Sequence, residues 1–148
     1  MIDLLICNAS VQDEPGLFDF AVDQGLIVER GVSLDYPATR QFDLEGRLLI
    51  PGFVESHLHL DIALMNDPTR PGRDKPFRSP VELNQAVEER RKGFTRSEIE
   101  QRAGRAVELA IRQGVTAMRA QCHVDPQVGL RHLEALAAVR EKYSDRIT

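Results

Sequence analysis

The residues best suited to chemistry lie in one run, Ile50-Pro51-Gly52-Phe53-Val54-Glu55-Ser56-His57-Leu58-His59-Leu60-Asp61. Imidazole is a good ligand for both zinc and iron. On an extended chain, side chains two residues apart point the same way. A strand here places Glu55, His57, His59 and Asp61 on one face and Ser56, Leu58 and Leu60 on the other. A His-x-His pair recurs by chance in many sequences. This pair gains weight from its setting, an apolar strand with carboxylates beside it. His57 and His59 are therefore read as two ligands of one divalent metal, Zn2+ or Fe2+.

The elements that must position this run are legible on both sides. Before it, Ile2 to Val11 reads as a strand, Asp13-Glu14-Pro15-Gly16 as a turn, and Phe18 to Val22 with Leu26 to Val28 as a hairpin turning at Asp23-Gln24-Gly25. Gln41 to Leu49 reads as another strand pair broken at Gly46. After it, Asp61 to Ser79 is a long loop carrying Pro68, Pro71 and Pro76. Its Arg70, Arg73, Lys75 and Arg78 could steer an anionic substrate, although a solvated loop is the simpler reading.

Ser79-Pro80-Val81-Glu82 opens a helix with a capping box and proline at its first position, ending at Gly93. Thr95-Arg96-Ser97-Glu98 caps a second, whose stripe of Ile99, Ala103, Ala106, Val107, Ala110 and Ile111 stops at Gly114. Leu83, Val87, Ile99 and Val107 are patterned for burial. Val115 to Cys122 is the next strand. Pro126 is expected to open a third helix carrying Leu130, Leu133, Leu136, Ala137 and Arg140. Asp145 to Thr148 looks like the first step of another strand.

Strands alternating with helices make a parallel sheet. The fold class is α/β. Residues 1–49 form a β-rich part, and residues 50–148 form the first βα units of an incomplete barrel. Two strands cannot close an eight-stranded barrel, so the chain is expected to be the N-terminal part of a longer protein. In a barrel the histidine face turns inward near the C-terminal mouth, where barrel active sites lie.

Composition narrows the partners. A net charge of −4 leaves no basic footprint for nucleic acid. No apolar stretch can span a bilayer, and the acidic start Met1-Ile2-Asp3 is unlike a secretory leader. Cys7 and Cys122 form no paired motif, which suits a reducing, cytoplasmic setting.

Pro51 to Asp61 resembles the first barrel strand of the amidohydrolase superfamily. Together with Gly114-Val115-Thr116-Ala117-Met118-Arg119 and Val124-Asp125-Pro126-Gln127-Val128-Gly129-Leu130-Arg131, it is similar to the cytosine deaminase branch. The resemblance implies a (β/α)8 TIM-like barrel preceded by strands of a small β-sandwich. It also implies one Zn2+ or Fe2+ held in part by His57 and His59, and hydrolytic deamination of a small nitrogen heterocycle. The other two metal ligands and the groups that move protons match nothing within the chain. No catalytic residue is therefore assigned here, and the chain alone is expected to be inactive. The whole protein is expected to be a homo-oligomer. Gln121 stands where many relatives carry histidine, His123 where an acid is common, and Ile62 where some alkylamine-releasing relatives carry lysine. Release of an alkylamine from a triazine-like ring is thus an alternative, as is a non-catalytic relic or interaction module.

The remaining candidates are supporting ones. Asp61 could orient a ligand, bind substrate or cap the loop. Gln121 and His123 share the inward face of the second strand and could contact substrate or support the site. Glu55 and Arg119 are expected to pair inside the barrel, unless Arg119 turns out toward a helix. His132, beside Arg131 and Glu134, reads as a solvated surface residue.

Overall fold

Alternating apolar residues in Ile2–Val11 (β1) make this strand the axis of a four-stranded sheet. Glu14–Asp23 (β2) pairs with it antiparallel and Leu26–Gly31 (β3) extends β2, while Ala38–Asp43 (β4) lies parallel along the other edge of β1. The computed structural model describes residues 1–65 and 79–148, as two units, Met1–Pro51 and Gly52–Thr148. The loop cations Arg70, Arg73, Lys75 and Arg78 and the three loop prolines lie outside the described residues.

In the first unit, Ile2, Leu5 and Ala21 form the core, with Cys7, Leu34 and Ala38 packed on it. Gln24 and Gly25 turn the β2–β3 hairpin with φ of 51° and 78°. Two positive φ values suit the turn whose twist matches a right-handed strand pair. The first turn falls earlier than expected. Asp13 takes a φ of 61°, and Glu14 is already paired with Val11. The expected strand pair over 41–49 is one strand, β4, which begins at Ala38. After its turn at Glu45 and Gly46, only Leu48 returns, bridging Ser10.

In the second unit, Phe53–Leu58 (β5) and Val115–Ala120 (β6) pair in parallel. Among the described residues between them are a 3-10 turn, Leu60–Ile62, and the helices Pro80–Lys92 (α1) and Arg96–Arg112 (α2). Parallel neighbours need such a crossover. Arg131–Lys142 (α3) follows β6. Thr148 then lies along the other edge of β6, donating to the Thr116 carbonyl at 3.1 Å and accepting from the Met118 amide at 2.7 Å. The two bonds have the pattern of a parallel pair.

The helix ends follow their caps. The Ser79 hydroxyl accepts from the Glu82 amide, with Pro80 leading α1. Thr95 and Glu98 form a reciprocal capping box on α2. Gly114, with a φ of 84°, lets the chain leave α2 and enter β6.

α2 and α3 pack through Ala103, Val107, Val139 and Tyr143 around Leu60, joined by Leu58 and Met118 from the sheet. Phe94, Ile99 and Ala135 make a second cluster, with Ile62 beside it. Ile99 and Val107 are buried as patterned, but Leu83 is 40% exposed and Val87 half-buried. Two expectations for the third helix need correction. It starts at Arg131, not Pro126, because Asp125 Oδ1 accepts from the amides of Gln127 and Val128 and closes a turn there. Its buried face is His132, Ala135 and Val139, leaving Leu130 and Leu133 exposed.

Candidate metal centre

β5 carries His57 to its last turn of chain, and His59 follows directly after the strand. Their ring centres are 5.3 Å apart. His123, beyond the end of β6, has its ring 5.6 Å from that of His59, and His132 on α3 lies 6.4 Å from His123. All four histidines of the chain therefore stand in one row. Donor atoms of His59, Asp61 and His123 lie within 4.8 Å of one another.

Asp61 anchors this row. It sits in the 3-10 turn after β5 with no exposed surface. Its Oδ2 accepts three hydrogen bonds: from the His123 amide at 3.0 Å, from His123 Nδ1 at 2.8 Å and from His132 Nδ1 at 2.9 Å. Burial pushes the Asp61 carboxyl up. The hydrogen bonds from His132 and from the amide and ring of His123 outweigh that and hold it below its ordinary range. Arg102 on α2 fixes the turn from behind, donating to the carbonyls of Ala63 at 2.6 Å and Asp61 at 3.2 Å. Asp61 Oδ1 and His132 Nε2 are buried with no hydrogen-bond partner among the described residues.

His132 is the residue beside the candidate site whose place sequence reasoning missed. It is fully buried, not solvated. The signal was its place at the head of the spacing His132, Ala135, Val139, one face of a helix. Asp61 does not merely cap a loop; it ties the end of β5 to β6 and α3. The Gln121 amide extends the strand pair by donating to the Leu58 carbonyl at 2.7 Å.

The expected ion pair between Glu55 and Arg119 is absent. The Glu55 carboxylate turns back to the His57 amide at 3.0 Å, and Arg119 Nε donates to the Ser56 carbonyl at 3.1 Å. The reason lies in the register. Glu55 faces Met118 and Leu58 faces Ala120, so three steps along β5 meet two along β6. That irregularity breaks the strict alternation on which a common face for Glu55, His57 and Arg119 depends.

Cys122 sits beside His123. Burial pushes its thiol up, and the Asp61 charge adds to this. It is thus poorly suited to supply a thiolate.

The described residues whose donor atoms could gather on one metal ion are His59, Asp61 and His123; His57 is not in that group. Two imidazoles on one tetrahedral ion, each bonded at about 2 Å, hold their ring centres on the order of 5 Å apart. The His57–His59 and His59–His123 separations match that spacing.

No family model matches the sequence. The chain is 24% identical to N-isopropylammelide isopropyl amidohydrolase of Pseudomonas sp. (strain ADP), over 98% of this chain and 36% of that protein. The crystal structure of 5-methylcytosine deaminase from Klebsiella pneumoniae liganded with 5-fluorocytosine superposes with a TM-score of 0.76 at 30% identity, over 97% of this chain and 34% of that one. An atrazine chlorohydrolase from Arthrobacter aurescens, complexed with zinc, shares the fold with a TM-score of 0.69 at 20% identity, over 95% of this chain and 34% of that one. The relatives of this chain in sequence and in fold are amidohydrolase-family members, and it spans about a third of their length.

Proposed function

We propose that the chain supplies the first part of the site of a metal-dependent hydrolase acting on C–N bonds, one that deaminates a small nitrogen heterocycle in the manner of a cytosine deaminase. The observation that carries this reading is the pairing of His57 and His59 at the C-terminal end of β5, 5.3 Å apart, with His123 next in the row. His57 and His59 would hold one divalent ion, zinc or iron. Such an ion supplies Lewis acidity and acidifies water for attack on the ring carbon that bears the leaving nitrogen.

The residues of this chain orient that centre. Asp61 joins the strand ends, and Glu55 accepts from the His57 amide. Asp61 is the carboxylate grouped with His59 and His123. The chain spans about a third of the length of its relatives, and on this reading the 148-residue chain alone is inactive. The zinc complex of the chlorohydrolase and the ligand of the methylcytosine deaminase support the metal and substrate class. Likeness to an isopropyl amidohydrolase over 98% of the chain favours a second reading, release of an alkylamine from a triazine-like ring.

A screen of the protein in full against amino-pyrimidines, amino-triazines and N-alkylamino-triazines, with Zn2+ or Fe2+, tests both. Ammonia release supports the first reading and alkylamine release the second. No turnover of any of them with either metal would sink both.

A further inference from the structure

The turn that follows His59 does little to hold itself. Leu60–Ile62 is a single 3-10 turn, in which the Ile62 amide donates to the His59 carbonyl at 3.3 Å and the Ala63 amide to the Leu60 carbonyl at 3.2 Å. Two long bonds in a helix type with poor hydrogen-bond geometry define a turn weakly. Arg102 on α2 adds what the turn lacks. One terminal nitrogen of its guanidinium donates to the Ala63 carbonyl at 2.6 Å and the other to the Asp61 carbonyl at 3.2 Å. A planar fork presents its donors in a fixed relation, so it sets the direction of both peptides together.

We propose that Arg102 is a positioning residue for the metal centre, acting through the turn that joins His59 to Asp61. This rests on the metal reading above and deepens it by naming what holds the donors in place. His59 and Asp61 both belong to the group whose donor atoms lie within 4.8 Å of one another. Asp61 is gripped at both ends, its carbonyl by Arg102 and its carboxylate by the amide and ring of His123. Both bonds from Arg102 go to main-chain carbonyls, so it acts on the donor atoms through the backbone. The guanidinium is itself held. Its central carbon lies 4.1 Å from the centre of the buried Phe94 ring, and the Phe94 carbonyl accepts from Arg131 at 2.6 Å. A cation over a desolvated aromatic face gains more than one in water. The α1–α2 junction and the start of α3 thus make a fixed bed for this side chain.

Competition with a chromogenic chelator measures Zn2+ affinity in the 148-residue chain and its variants, at a temperature where unfolding curves show each to be folded. Arg102→Met keeps the apolar stem and removes the fork. It should bind Zn2+ about tenfold more weakly, the lower end of what losing an outer partner of a metal ligand costs. Arg102→Lys, which keeps a charged donor, should recover part of that loss. Phe94→Leu removes the bed and keeps the fork, and should also bind more weakly than the parent. Tyr143→Phe is the structural control, because the Tyr143 hydroxyl joins the end of α3 to Glu108 of α2 at 2.9 Å and not to the turn. Its Zn2+ affinity should equal the parent's. Parent affinity in Arg102→Met, or in Phe94→Leu where Arg102→Met does not fold, would overturn the proposal. So would an equal loss in Arg102→Met and Tyr143→Phe, which marks a general loss of stability. His59→Ala separates this proposal from the reading beneath it. If His59→Ala weakens Zn2+ binding and the Arg102 variants do not, only the positioning role has failed. If Zn2+ binding by the parent does not depend on His59, the metal reading has failed, and the positioning role with it.

Discussion

Asp61 Oδ2 and His132 Nδ1 lie 2.9 Å apart, both side chains fully buried, across 71 positions of sequence. The bond ties the turn after β5 to the first turn of α3. Removing one partner of a buried polar pair leaves the other desolvated and short of a partner, whereas replacing both with apolar groups can cost little. His132→Leu should therefore destabilise the chain by about 3 kcal/mol. The double change Asp61→Leu/His132→Leu should cost clearly less than the sum of the two single changes, with a coupling of at least about 1 kcal/mol. Urea unfolding of the four proteins measures this. Additive costs would mean the bond contributes nothing of its own.

Gly52 packs where β5 begins. A Cβ built there would meet Thr116 Cγ2 at 2.3 Å and Oγ1 at 2.4 Å. The close approach follows from the strand pairing, in which the Phe53 amide donates to the Gly114 carbonyl at 2.9 Å. Gly52→Ala should lower stability by about 1–3 kcal/mol, the usual range for overpacking. Adding Thr116→Ala should recover part of the loss but not all, because Thr116 Cβ itself stands 2.9 Å away. Thermal unfolding of both variants decides it. A Gly52→Ala protein as stable as the parent would show that the strands separate freely there.

What the sequence made legible follows its local signals. The β5 run, the capping box of Thr95 and Glu98, the stop at Gly114 and the parallel partner at Val115 each depend on neighbours in the chain, and each is found. The failures are of longer range. Whether His132 faces solvent depends on the rotation of α3 against Leu60 and Val107, which its exposed Leu130 and Leu133 disguise. The Glu55–Arg119 pair fails where the register of β5 on β6 is irregular, which is invisible in a pattern of alternation. The two histidines at the end of β5 could be singled out from their spacing and setting, but the part played by the carboxylate that joins His123 to His132 could not, because its two partners lie more than 60 positions away, in different parts of the fold.

Asp125 should give the fold an acid-sensitive latch. Its carboxyl is held below its ordinary range, first by the Val128 and Gln127 amides and then by Arg91. Arg91, only 5% exposed in its side chain, meets Asp125 at 2.7 Å and so joins α1 to the turn before α3. A carboxyl whose folded pKa is depressed stabilises the fold above its unfolded value and loses that contribution as pH falls through the folded value. With an unfolded aspartate near about 3.9, the contribution is whole at neutral pH and fades below about pH 4. Asp125→Asn should therefore be less stable than the parent at pH 7 and 5, with the gap narrowing toward pH 3. A gap that stays constant across that range would show that the charge of Asp125 plays no part.

The metal reading makes the sharpest demand on His57 and His59. If both bind one ion, each single change to alanine removes half of the strand's ligand set, and the double change removes all of it. His57→Ala and His59→Ala should each lower Zn2+ affinity by at least about tenfold, and the double variant should lower it further. Arg119→Gln is the control. Arg119 holds the Ser56 carbonyl and lies outside the set of donors gathered at the site, so its loss should leave Zn2+ affinity unchanged. Competition with a chromogenic chelator reads all four. Equal affinity in the parent and in the double variant would show that the ion, if one binds, sits elsewhere than on β5.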